Sequence, residues 1–160
     1  MLKLLLFIYQ HHPLPPPQLR RGKITFMKKM GARILGIDYG TKNVGLAISD
    51  REQNQAFVYD TLKMTAKFWE QLVEICEKEK IDKIVVGLPL SLRGEYTKKT
   101  EEVVYFVEEL ENQTKLLVET QDERLSSVEA DKTGSGHGRD EEAARIILQS
   151  YLDRKKNREI

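Results

Sequence analysis

The sequence predicts an α/β fold: a mixed five-stranded sheet, its first three strands antiparallel, flanked by helices. Three observations carry that expectation. Three strand-like runs follow one another before any helical periodicity appears. From about residue 67 helical stripes and short apolar runs alternate, the pattern of strands joined by crossover helices. The composition, 40% hydrophobic and 32% charged over 160 residues, suits one soluble globular domain with a single core.

Residues 33–38 and 44–49 read as the first two strands, joined through "YGTKN", where Gly40 serves as the permissive turn residue. A third strand fits 56–62, where Phe57, Val58 and Tyr59 are good strand formers. Trp69, Leu72, Val73 and Cys76 recur at helical spacing within a helix expected over 67–79. "KIVVGLPL" is an apolar strand stopped by Pro89, and Val103, Val107 and Leu110 stripe a helix over 97–112. "KLLVET" makes the fifth strand. It and "KIVVGLPL" are expected to run parallel to the first. Ser126 and Glu129 form a capping-box pattern for a short helix, and "DEEAARIILQSYLD" forms the last one. No internal repeat is visible.

The first thirty residues differ in character. An apolar run, a proline cluster (Pro13, Pro15, Pro16, Pro17) and basic residues follow one another. The run is too short to span a bilayer and lacks a small-residue cleavage site. Residues 1–30 are therefore expected to be a disordered extension, or else translation begins at Met27 or Met30, a choice that intact mass decides. The domain proper is expected over 31–155, with a charged tail over 156–160.

The formal charge of +1 hides an asymmetry. Residues 1–29 hold six basic side chains and no acidic ones; without them 20 basic residues face 25 acidic ones, a net of −5. A mildly acidic body argues against non-specific coating of nucleic acid, though not against a site that gathers carboxylates. The single cysteine, Cys76, excludes an internal disulfide and a multi-cysteine zinc site, and fits a reducing, cytoplasmic setting.

Three acids stand where such a site would form. Asp38 closes the first strand, and Glu123 lies just past the fifth. If those strands are parallel, both carboxylates leave the same sheet edge, where α/β folds place their sites. In the last helix the inward stripe reads Ala143, Ala144, Ile147, Leu148 and Tyr151, and Asp140 falls on that face at its start. Converging carboxylates repel one another, and a divalent cation resolves that; hard oxygen ligands favour Mg2+ or Mn2+, one ion or two. Plainer readings stand beside these. Asp38 also reads as a turn aspartate, Asp140 as an acid favoured by the helix dipole, and Glu123 as part of a solvated charged turn. Glu141 and Arg145 are spaced for a surface ion pair.

Taken together, "ILGIDYGTKNVGLAISD", "IVVGLPLSLRGE", "DERLSSVEA" and "DEEAARIILQSYL", in that order, resemble the YqgF (RuvX-like) family from about Arg33 to Asp153. Its members are described as pre-16S rRNA nucleases and as Holliday junction resolvases. The resemblance implies a ribonuclease H-like fold and a metal-dependent phosphodiester hydrolase (a nuclease). Its acidic site would be Asp38, Glu123 and Asp140, both as catalytic residues and as metal ligands. On the two-ion scheme, with ions roughly 4 Å apart, Asp38 would bridge while Glu123 and Asp140 held one ion each. Thr41, Lys42, Arg93, Arg124 and Arg139 are the candidate substrate contacts, with Lys98 and Lys99 as further candidate backbone contacts. The expected partner is structured RNA, foremost precursor rRNA, with branched DNA as the alternative.

Two departures from the family pattern bear on this. "DKTGSGHGR" is shorter than the lysine-containing stretch usual there, leaving His137 and Arg139 as partial substitutes. "IVVGLPL" also offers no carboxylate, so the site is a triad rather than a quartet. "GIDYGTKNVGLAI" equally resembles the first phosphate loop of the sugar-kinase and actin-type ATPases, but no second phosphate loop follows. A non-catalytic nucleic-acid-binding module is the third reading, separable by metal-dependent turnover. A resolvase must cut two strands symmetrically and so needs a dimer. With no apolar helix face left over, a monomer or weak dimer is expected.

Overall fold

The computed structural model describes residues 31–123 and 138–158. Its sheet has the order β3-β2-β1-β4-β5, built from β1 (Arg33–Tyr39), β2 (Asn43–Ser49), β3 (Ala56–Lys63), β4 (Ile81–Leu88) and β5 (Leu117–Asp122). The first three strands pair antiparallel, and β4 and β5 run parallel to β1. The helices are α1 (Phe68–Lys78), α2 (Lys98–Thr114) and α3 (Arg139–Arg158). The expected Ser126–Glu129 cap lies outside the described residues.

Strand alternation divides the core in two. Leu35, Ile37, Val44, Leu46, Ile84 and Val86 face α1 and α2. Ile34, Ala47 and Val85 face the other way, against Ala144, Ile147, Leu148 and Leu152 of α3. Strands covered on both faces read as unbroken apolar runs, which explains "KIVVGL". The α1 stripe is led by Phe68, with Leu72 and Cys76, and Trp69 packs partly buried beside it. In α2 the buried residues include Phe106, which touches Tyr39, Phe68 and Trp69.

Some boundaries differ from expectation for local reasons. The fifth strand starts at Leu117 rather than Lys115, because Lys115 takes a left-handed conformation (φ 58°) that caps α2. Thr97 serves as the N-cap of α2, in a reciprocal box with Thr100. Gly40 has no positive φ; what it supplies is room, since a Cβ there would stand 2.5 Å from the Asn43 carbonyl oxygen. Arg145 pairs with Glu142 (2.7 Å) rather than serving Glu141 as expected. The carboxylate of Glu141 instead accepts bonds from the Thr61 hydroxyl and the Gly138 N–H.

α3 approaches the sheet through glycine. A Cβ on Gly36 would stand 2.6 Å from Leu148 Cβ, and one on Gly45 would stand 2.0 Å from the Asp140 carbonyl oxygen. The helix backbone thus rests on β1 and β2 where a side chain would hold it away. No helix among the described residues is long and apolar enough to cross a membrane.

Candidate active site

The alternation that sends Leu35 and Ile37 to one core sends Asp38 to the α3 face. Its partner on β2 is Gly45. On its other side, the pairing of Ile37 with Val86 brings Gly87 alongside in the next step. The glycines leave a gap on both flanks of Asp38, and two other groups fill it. The first-turn backbone of α3 at Asp140 occupies the space over Gly45. The Glu123 carboxylate lies over Gly87, where a Cβ would stand 2.2 Å from Oε1 and 2.5 Å from Ile147 Cδ1.

Glu123 reaches that place because β5 ends at Asp122 and the Glu123 N–H then donates to the Leu88 carbonyl (3.3 Å), folding the chain back towards β4. Asp140 reaches it because α3 is pinned by its neighbours. Glu141 is tied to Thr61 of β3, and the helix backbone at Asp140 and Leu148 Cβ close over Gly45 and Gly36. Three acids open α3, which suits the helix dipole, but Asp140 is the one whose charge is felt at Asp38.

Burial pushes the Asp38 carboxyl up from 3.8 to about 7, with the negative charges of Glu123 and Asp140 adding to the rise. The Lys99 ammonium works the other way. Glu123 is also raised, chiefly by burial and further by Asp122, again with Lys99 in opposition. Lys99, at the start of α2, therefore acts on two of the three acids. The sequence offered Lys99 only as a candidate contact to the substrate backbone, since its relation to the acids arises from folding α2 beside the strand ends. Among the described residues no three His, Cys, Asp or Glu side chains stand close enough to clasp a metal as they are. Glu123 and Asp140 both act on Asp38 through their charge, without the three forming an assembled cluster.

The other candidates gather at the same edge. Thr41 and Lys42 are exposed in the β1–β2 turn directly after Asp38, where the Lys42 carbonyl accepts the Met64 N–H (2.9 Å). Arg93 is exposed in the loop after β4, and Arg139 opens α3 in solvent. Arg124 and His137 lie outside the described residues. The signal missed in the sequence was the glycines: Gly45 in "NVGLAIS" and Gly87 in "IVVGL" interrupt otherwise apolar strands, a mark of close approach.

The chain matches the family model described as RuvX, Holliday junction resolvase, over residues 32–154. A protein of Maridesulfovibrio salexigens with the provisional name pre-16S rRNA nuclease is 43% identical over 133 residues, covering 76% of this chain and 98% of its own. A namesake from Nitratidesulfovibrio vulgaris is 41% identical over 132 residues, covering 76% and 93%. Among solved structures, T. thermophilus RuvC in complex with a Holliday junction substrate aligns with a TM-score of 0.52 at 12% identity, over 78% of this chain and 96% of that one. A second T. thermophilus RuvC structure gives 0.51. That likeness speaks to the fold, which is ribonuclease H-like.

Proposed function

The chain belongs to the RuvX family, and on that premise we propose that it is a divalent-metal-dependent nuclease that processes the 5′ end of precursor 16S rRNA, with Asp38, Glu123 and Asp140 as its acidic centre. One observation supports this centre: Asp38 lies between Gly45 and Gly87, the Glu123 carboxylate lies over Gly87, and Asp140, whose backbone lies over Gly45, raises the Asp38 carboxyl through its charge.

The donor set fits a hard divalent cation. Asp38 sits where burial and two like charges disfavour its ionised form, and a cation relieves both costs at once. Mg2+ or Mn2+ is the proposed ion, held by the three acids, and when bound it supplies charge to neutralise the scissile phosphate. The chain supplies the positioning. Glycine flanks let Glu123 and the start of α3 close in on Asp38, and α3, anchored through Thr61 and Glu141, keeps Asp140 at the gap. Thr41, Lys42, Arg93 and Arg139 are the proposed phosphate contacts, joined by Arg124. Contacts of this kind read RNA by backbone and shape rather than by base. The nuclease domain is proposed to span 31–155 and to work in the cytoplasm, where ribosomes are assembled.

Junction resolution is the second reading, favoured by the family's own description. The test is cleavage of a precursor 16S 5′ fragment and a four-way DNA junction side by side, in Mg2+, Mn2+ or chelator, by wild type and Asp38→Asn. Metal-dependent RNA cleavage that the variant loses is the expected result. Junction cutting alone would promote the second reading. Silence on both substrates with metal binding intact would overturn both in favour of a binding module.

A further inference from the structure

The loop between β4 and α2 ends in a feature that the acidic centre does not use. Leu92 is 95% exposed, the most exposed large hydrophobic side chain among the described residues. Single exposed leucines are common and by themselves say little. This one sits on a built turn. The Gly94 N–H donates to the Ser91 carbonyl (2.8 Å), and the Ser91 N–H to the Glu95 carbonyl (3.0 Å). The Glu95 N–H donates to Ser91 Oγ (2.9 Å). Gly94 takes the left-handed conformation (φ 79°) that closes the turn. Leu92 and exposed Arg93 are its two central residues, so the fold fixes a backbone whose result is to hold a leucine in water beside a cation.

The turn is also tied to the acidic centre at both ends. Before it, the Leu88 carbonyl accepts the Glu123 N–H, and the Pro89 carbonyl accepts the Thr100 hydroxyl. Beyond it, Lys99 acts on Asp38 and Glu123. Leu92 is four residues from Leu88, so the tip lies within roughly 14 Å of that anchor even fully extended. That reach is about four nucleotides at roughly 3.4 Å each.

We propose that Leu92 is an apolar wedge that packs against the base at a boundary between paired and unpaired nucleotides near the scissile phosphate, while Arg93 holds the adjoining phosphate. An apolar side chain set against a base step replaces lost stacking, and a flanking cation supplies the backbone grip. The pairing of the two on one turn matches that need. A continuous duplex offers no open face, so the wedge favours stem ends and branch points over uninterrupted helix. The proposal rests on the nuclease reading above and adds a specificity-determining residue to it.

The test uses the full chain and two synthetic RNAs, a stem with a single-stranded extension and its fully paired counterpart. Each carries 2-aminopurine at the position that is first unpaired in the stem. Cleavage by wild type is expected to favour the stem boundary over the fully paired counterpart. That ratio should fall about tenfold in Leu92→Ser, the worth of one stacking contact. In the Asp38→Asn background, where binding without cleavage is expected, binding should change 2-aminopurine fluorescence on the boundary RNA alone. Leu92→Ser should abolish the change and Leu92→Phe should keep it. An unchanged ratio and signal in Leu92→Ser, or equal losses in Leu92→Ser and Leu92→Phe, would overturn the wedge while leaving the nuclease intact. Failure of the parent protein to bind or cut either RNA would bring down both readings together.

Discussion

Asp38 is held where its charged form is disfavoured, and this has a consequence for stability that can be measured without substrate. In the unfolded chain its carboxyl titrates near the ordinary value; in the folded chain, burial and the charges of Glu123 and Asp140 raise it to about 7. Between roughly pH 4 and pH 7 the folded state therefore binds the extra proton, and stability falls as pH rises through that window. Above it the penalty is full, on the order of 1–4 kcal/mol before solvent screening. Asp38→Asn removes the penalty. In chelator the variant should melt above wild type at pH 8, the gap closing towards pH 4. Added Mg2+ should then raise wild type more than the variant. A variant that melts lower at both pH values would refute this account of Asp38. The acids themselves were legible in the sequence, because a strand end and a helical stripe are local patterns. The effect of Lys99 on two of them was not, since nothing local links the start of α2 to the ends of β1 and β5.

At the scale of elements, the site depends on how closely α3 and the strands approach, and two glycines separate packing from chemistry. On Gly45 a Cβ would meet backbone, the Asp140 carbonyl oxygen at 2.0 Å and the Glu141 nitrogen at 2.8 Å. Neither can move unless the start of α3 moves. Gly45→Ala should therefore lower stability by about 1–3 kcal/mol in denaturant unfolding and also abolish cleavage. On Gly87 the nearest atoms are the far ends of side chains, Glu123 Oε1 and Ile147 Cδ1, rather than backbone. Gly87→Ala should keep most of the stability yet displace the Glu123 carboxylate, so cleavage should drop by about 10²-fold while the unfolding midpoint shifts little. Equal effects of the two substitutions on stability would contradict this division. Strand and helix identities could be read from periodicity and turn residues. The start of β5 could not, because the stop signal was the left-handed Lys115, and a lysine announces no such conformation.

For the molecule as a whole, charge decides how it can hold a polyanion. The body from residue 30 onward is net −5, so attraction must come from a few cations at one edge rather than from a general positive field. The sheet order that gathers Lys42, Arg93 and Arg139 there is a non-local outcome; the alternation of strands and helices predicted a mixed sheet, whereas β1 at its centre was not legible from any single element. Three or four phosphate contacts, Arg124 among them, predict a shallow salt dependence. The logarithm of the RNA association constant should fall against the logarithm of salt with a slope of about −3, and Arg93→Ala should reduce it by about one. Fluorescence anisotropy across a salt series measures both. The far end of α3 is the control, because Arg154, Lys156 and Arg158 are exposed there, and Lys155 is bonded to Gln53 (2.8 Å). If RNA wrapped that end as well, the slope would steepen beyond about −6 and Lys156→Ala would shift it as much as Arg93→Ala. A slope near −3 that responds to Arg93 and not to Lys156 would confine the substrate to the edge that bears the three acids, and would make the turn at Leu92 and Arg93 the outer limit of its grip.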